Sequence, residues 1–226
     1  MPIAPPAVNS LPASSSPRLP SPTSFRLLTD GERNASIEKS LTHWQKGSDI
    51  WVFGYASLIW RPEFDYTEKR VALLRGYHRA LCLWSRVNRG TPEHPGLVFG
   101  LDAGGSCRGM AFRIPAGNVP DIMQALWKRE MATGAYHPRW LNCSTEHGPV
   151  KALAFVMSRN TEAYVRGLTL AQLVEIVSSA HGKYGPCTEY VLETARALND
   201  WNIHDRRLQT LVDHLHNPPA LTQSIR

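Results

Sequence analysis

Between residues 50 and 157 the chain is a succession of short β-prone segments closed off by turn-forming residues, and this pattern limits the fold more than any other feature. Ile50-Trp-Val-Phe-Gly-Tyr-Ala56 is apolar, aromatic and β-branched, the signature of a buried strand. Arg61-Pro62 supplies the turn signal that stops it. Further strands are predicted at 71–74, 79–85, 97–101, 107–114, 140–145 and 150–157. Turn residues separate most of them, as in Arg89-Gly-Thr-Pro, His94-Pro-Gly, Ala103-Gly-Gly, Pro115-Ala-Gly-Asn and Gly148-Pro. Short strands at this spacing predict a small mixed or antiparallel β-barrel.

Helices punctuate and follow the strands. The patterning predicts helices over 119–133, over 169–180 with a stop at His181-Gly182, and over 186–199 with Pro186 as first helical residue. A fourth covers 203–216 and is stopped by Pro218-Pro219. The fold class is therefore α+β, a barrel with flanking helices.

Composition bears on where the domain lies. The first 24 of 226 residues hold seven of the 17 prolines and six serines, with Arg18 as their only charged side chain, and are expected to be a disordered head. Residues 25–48 read as an N-terminal extension, with Ile37, Leu41 and Trp44 at the spacing of a short helix. Residues 49–217 form the expected folded domain and 218–226 a tail. At 42% hydrophobic the body can bury an ordinary core. No apolar run is long enough for a membrane span and no secretory signal is evident, so the expected setting is cytoplasmic, with no membrane partner. Cys82, Cys107, Cys143 and Cys187 lie 25, 36 and 44 residues apart, without a Cys-x-x-Cys pair, and are expected to be buried thiols.

The net charge of +6 concentrates between residues 61 and 89, where seven basic side chains face Glu63, Asp65 and Glu68. A solvated face, a site for a small anionic substrate and a phosphate-tracking groove are all compatible with that excess, in decreasing order of expectation.

Two local features point to chemistry. In the helix predicted at 119–133, Val119, Ile122, Met123, Leu126 and Trp127 form one apolar stripe, and Glu130 falls about 20° from Val119 in the same projection. A carboxylate directed into apolar surroundings resists ionising unless paired. Either Glu130 reaches water from a frayed last turn or pairs with an arginine such as Arg139, or it is a base poised near neutral pH at the floor of a pocket. The second feature is Gly54-Tyr55-Ala56-Ser57-Leu58, where the first strand enters a loop. Small residues there either relieve crowding or let a ligand approach backbone N–H groups. Ser57 and Ser106 lack the Gly-x-Ser-x-Gly elbow, and Ser106 reads as a hairpin turn. Phosphate-loop and His-Glu-x-x-His motifs are absent, so no metal site is expected.

These residues carry a resemblance. Trp51-Val-Phe-Gly-Tyr-Ala-Ser-Leu-Ile-Trp-Arg-Pro62, Trp84-Ser-Arg-Val-Asn-Arg-Gly-Thr91, Gly96-Leu-Val-Phe-Gly-Leu101 and Gly105-Ser-Cys-Arg-Gly109 resemble the ChaC-type glutathione-specific γ-glutamylcyclotransferases. Arg129-Glu130-Met131 with Tyr136-x-Pro138, and Ala180-x-Gly182-x-x-Gly185-Pro-x-x-Glu189-Tyr190, are similar to later segments of that family. The resemblance implies a cofactor-free cleavage of glutathione to 5-oxoproline and cysteinylglycine. It implies Glu130 as acid/base and Val52, Phe53, Gly54, Tyr55, Ala56, Ser57 and Leu58 as the loop binding the γ-glutamyl group, with Tyr190 nearby. The family loop usually reads Tyr-Gly-Ser-Leu, so Ala56 stands in the glycine place; alanine would weaken capture if that position needs positive φ.

The chemistry suits a single carboxylate. In a γ-glutamyl amide the substrate's own α-amine can attack its γ-carbonyl, so the nucleophile is already tethered. The protein must carry a proton from the α-ammonium to the leaving amine and supply donors for the developing oxyanion. Three rivals remain. One is a related enzyme acting on other γ-glutamyl amines or amino acids. Another is a non-catalytic basic module stacking bases on Trp51, Tyr55, Trp60 and Trp84, although no nucleic-acid partner is expected. The last is a thiol enzyme using Cys107 or Cys143.

Overall fold

A computed structural model describes residues 26–217 together with Leu19. The rest of the expected head, and the tail at 218–226, lie outside the described residues.

Five strands close a barrel in the order β1-β3-β2-β4-β5. β1 (Ile50–Gly54) runs antiparallel to β3 (Gly96–Ile114), from Ile50 opposite Ile114 to Gly54 opposite Met110. It runs parallel to β5 (Gly148–Met157), which closes the barrel through Trp51–Ala152 and Val52–Leu153. β2 (Glu68–Ser85) lies between β3 and β4 (Tyr136–Thr145), and β4 returns into β5 through a tight turn in which Gly148 has φ 98°. The sheet is mixed.

The four strands predicted at 71–74, 79–85, 97–101 and 107–114 are two long ones. Gly76, with φ 86°, sits opposite Gly104 and Gly105, with φ 101° and 72°, where the pairing steps from Arg75–Ser106 to Tyr77–Ala103. These glycines form a bulge that bends both strands together, so Ser106 lies within β3 and not in a hairpin turn. β1 likewise stops at Gly54, two residues early, because the chain turns into the one-turn helix α2 (Ser57–Trp60).

Helices cover the barrel. The extension contributes α1 (Asp30–Leu41), started by a capping box between Thr29 and Glu32. α3 (Val119–Glu130) buries the whole stripe Val119, Ile122, Met123, Leu126 and Trp127 against residues such as Val52, Ile114, Leu153 and Phe155. Each of these side chains contributes about 2 kcal/mol by leaving water. α3 ends at Glu130, three residues short of the predicted stop. α4 (Leu170–Ser179), α5 (Cys187–Asp200) and α6 (Arg206–His216) pack on one another, and α4 and α5 also pack on β3. Pro186 is the residue preceding α5 instead of its first helical residue.

One close approach holds β1 in place. A methyl group on Gly109 would lie 2.3 Å from the Gly54 carbonyl oxygen and 2.9 Å from the Phe53 ring. Backbone cannot yield cheaply, so Gly109→Ala is expected to cost about 2–3 kcal/mol. Thermal unfolding should show a melting temperature lower by several degrees; an unchanged value would mean that β1 is not seated against β3 as described.

Candidate active site

The end of β1 and the end of α3 meet at a cavity of about 640 Å³. Tyr55 leaves the strand with its hydroxyl donating to the Phe155 carbonyl at 3.2 Å, while its own carbonyl accepts from Arg79 Nε. Ala56 then caps α2 with φ −145°, so the positive φ that would penalise alanine is not used, and only its methyl distinguishes it from glycine. Ser57 and Leu58 begin the helix, where the first N–H groups have no intrahelical acceptor. Gly54 lets this turn fold back, since a Cβ there would sit 3.0 Å from Leu58 Cβ and 3.1 Å from Phe112.

Glu130 reaches the cavity from the last turn of α3, with 15% of its side chain exposed. Burial pushes its carboxyl above the ordinary value of 4.5, Glu63 pushes in the same direction, and the Arg129 guanidinium, 3.0 Å from Oε1, opposes both. Its charge partner is the adjacent Arg129; Arg139 is exposed on β4. Arg129 also donates to Ser57 Oγ at 3.1 Å, so one guanidinium touches both the carboxylate and the turn.

The structure therefore brings Tyr55, Ala56, Ser57, Leu58, Glu130 and Tyr190 to one cavity wall. Val52 and Phe53 are fully buried in the core behind it, and Gly54 is likewise absent from the lining. Two tyrosines approach from other elements. Tyr190 on α5 accepts from the Phe99 N–H at 3.1 Å, and Tyr136 on β4 donates to the Phe99 carbonyl at 3.4 Å. Burial pushes the Tyr55, Tyr136 and Tyr190 phenols up, so all three stay protonated donors at neutral pH.

Several lining residues were not assigned from sequence. Arg129 was adjacent to Glu130, but neighbours on a helix point about 100° apart and nothing in the spacing joined them. Arg86 and Arg89 were hidden in the basic run; both are buried and line the cavity. Arg89 donates to the Pro186 carbonyl at 3.0 Å and lies over the Tyr190 ring at 5.5 Å, tying the wall to the start of α5. The rest of that run is dispersed. Arg79 is buried in an ion pair with Asp205, Arg70 pairs with Glu68, and Lys69 lies over Tyr66 and Trp201.

All four cysteines are buried and unbridged. Burial raises the Cys107 thiol and pushes Cys143 up to about 11, which suppresses the thiolate, and neither lines this cavity. Among the described residues no group of three or more His, Cys, Asp or Glu could hold a metal ion.

The ChaC-like protein family model matches residues 50–217. The glutathione-specific gamma-glutamylcyclotransferase of Escherichia coli strain K12 is 32% identical over 182 residues, covering 80% of this chain and 79% of that protein. Human glutathione-specific gamma-glutamylcyclotransferase 1 is 30% identical, covering 73% of this chain and 77% of its own. The crystal structure of a gamma-glutamyl cyclotransferase specific to glutathione from yeast superposes with a TM-score of 0.70 at 22% identity, over 75% of this chain and 96% of that one. That likeness supports the barrel fold. A match across the whole barrel and the helices that follow its first strand, together with relatives at this identity, means that the chain belongs to the ChaC-like family.

Proposed function

We propose that the protein cleaves glutathione to 5-oxoproline and cysteinylglycine without a cofactor, with Glu130 as general acid/base. The observation that carries this reading is a single desolvated carboxylate on the wall of a cavity shared with the Tyr55–Leu58 turn. The names of its relatives point the same way. In this mechanism the turn holds the γ-glutamyl group folded, so that its α-amine faces its γ-carbonyl. Glu130 takes a proton from the α-ammonium and the freed amine attacks the γ-carbonyl. As the tetrahedral intermediate collapses to the five-membered lactam, Glu130 protonates the departing cysteinylglycine nitrogen, and the second proton shed by the ring nitrogen leaves with that amine as its ammonium. The N–H groups of Ser57 and Leu58 supply donors for the oxyanion or the α-carboxylate. Arg86, and Arg89 with Glu189 3.4 Å away, place guanidinium groups on that wall, which suits a peptide carrying two carboxylates.

The reading includes a cytoplasmic setting, supported by four unbridged thiols and by the absence, among the described residues, of any helix long and apolar enough to cross a membrane. It includes no nucleic-acid partner. Tyr55 and Trp84 are only 6% and 3% exposed, so two of the four aromatic side chains a stacking surface would use are covered.

Two experiments test this reading. Comparing glutathione with γ-glutamyl-alanine and γ-glutamyl-lysine should give at least about tenfold higher kcat/KM for glutathione, through binding energy from the cysteinylglycine half. Equal rates would move the protein to a broader γ-glutamyl amine specificity. The pH profile should also carry the signature of the base. Because the Glu130 carboxyl is raised, its active anion forms only as pH climbs past that higher value, so the acid limb of kcat/KM should have a midpoint above 4.5. A limb at or below 4.5 would contradict a buried carboxylate base.

A further inference from the structure

Two carboxylates compete for one guanidinium beside the cavity. Arg129 Nε lies 3.0 Å from Glu130 Oε1, and Arg129 Nη1 lies 2.9 Å from Glu63 Oε2. Nη1 also donates to the Arg61 and Pro62 carbonyls at 2.6 and 3.3 Å, and Nη2 to Ser57 Oγ. All three nitrogens are committed, and they join the end of α3 to α2 and the loop that follows it. Glu63 occupies φ 57° in that loop, a left-handed conformation that is unfavourable for an L-residue. Its two oxygens face different cations: Oε1 lies 3.0 Å from Arg61 Nε without hydrogen-bond geometry, and Oε2 lies 2.9 Å from Arg129 Nη1 and accepts from it. Such contacts help to keep a residue in a costly conformation.

A cation shared by two anions stabilises each less than it would one alone. We propose that Arg129 is a positioning residue for the reaction, and that Glu63, by drawing on the same guanidinium, keeps Glu130 a stronger base than Arg129 alone would leave it. This rests on the reading of Glu130 as the proton carrier. The other titratable groups that influence Glu130 or feel its charge are Tyr55 at the end of β1, Tyr136 on β4 and Tyr190 on α5. They are neutral phenols at working pH and cannot substitute for the charge of Glu63. Because Glu63 is half exposed, solvent and salt moderate its effect.

The test follows the Glu130 carboxyl by carbon-13 NMR in the full chain, identified by its loss in Glu130→Gln, alongside kcat/KM as a function of pH. Glu63→Gln should move the midpoint down by about half a pH unit, raising kcat/KM about threefold on the acid limb. Arg129→Gln should move it up and raise KM, because the Ser57 turn loses its donor. Arg129→Lys should return the midpoint toward wild type without restoring KM, since an ammonium keeps the charge and lacks the fork. A merely structural Arg129 would lower the melting temperature and leave the midpoint in place. An unmoved midpoint in Glu63→Gln would overturn the proposal. A wild-type chain releasing no 5-oxoproline would instead overturn the underlying reading, and the NMR midpoints, which need no turnover, keep the two failures distinct.

Discussion

Glu130→Gln is expected to lower 5-oxoproline release from glutathione by about 10³-fold or more, to the limit of detection, while the protein stays folded. The glutamine amide keeps the shape and some hydrogen bonding of the carboxyl but cannot take up the ammonium proton. The neighbouring groups are poor replacements. Glu63, the other carboxylate lining the cavity, is half exposed and paired with Arg61 and Arg129. Tyr55, Tyr136 and Tyr190 remain protonated, and Ser57 has no activating base in the sequence pattern or among its contacts. The fold should tolerate the change, because Arg129 retains Glu63, Ser57 and two carbonyls as partners.

Glu130 has a folded carboxyl value raised above that of the unfolded chain. Its contribution to stability is complete below the unfolded value and is lost as pH rises through the folded one. Glutamine does not ionise, so the melting temperature of Glu130→Gln relative to wild type should rise as pH climbs from the ordinary carboxylate value of 4.5 through the raised folded one. A variant retaining near wild-type turnover would remove Glu130 from the mechanism. A difference in melting temperature that falls across that window would contradict its burial.

Arg79→Ala is expected to destabilise the protein by about 3–5 kcal/mol, which for a domain of this size lowers the melting temperature by about 10 °C. The Arg79 side chain is 3% exposed and pairs with Asp205 at 2.6 Å. It donates to the Arg108 carbonyl at 2.6 Å and to the Tyr55 carbonyl. Asp205 in turn accepts from the Leu208 N–H at 3.1 Å as the N-cap of α6. Truncation leaves a carboxylate and two carbonyls without their donor, and such unpaired groups cost more than the pair contributes when intact. Because one of those carbonyls belongs to Tyr55, KM for glutathione should rise in any preparation that remains folded. Arg79→Lys should be milder, keeping the ion pair and losing the fork to the two carbonyls. A loss under about 1 kcal/mol would show that this guanidinium does not brace the site.

Much of the barrel was legible because its strands carry local signals. The Ile50–Gly54 run is apolar and β-branched on a scale that no turn residue interrupts, and the 119–130 stripe names its buried face residue by residue. The junctions were less legible. Gly76 and Gly104-Gly105 have the positive φ that a reversal would need, and sequence alone does not distinguish a hairpin turn from a bulge that bends two paired strands. The direction of Glu130 followed from helical geometry. Its partner did not, because the guanidinium of Arg129 reaches back across α2, and only the folded loop after that helix sets its path. Tyr136, Arg86 and Arg89 come from segments far apart in the chain and share the cavity through closure of the barrel, which no local pattern encodes.

The most direct test of the account is the fate of the γ-carbonyl in oxygen-18 water. Purified protein is incubated with glutathione, without metal or nucleotide, and the products are read by mass spectrometry. Intramolecular attack by the substrate's amine predicts 5-oxoproline free of solvent oxygen, formed in equal amount with cysteinylglycine. Glutamate carrying oxygen-18 in its γ-carboxyl, released in place of 5-oxoproline, would mean that water is the nucleophile and would contradict the account.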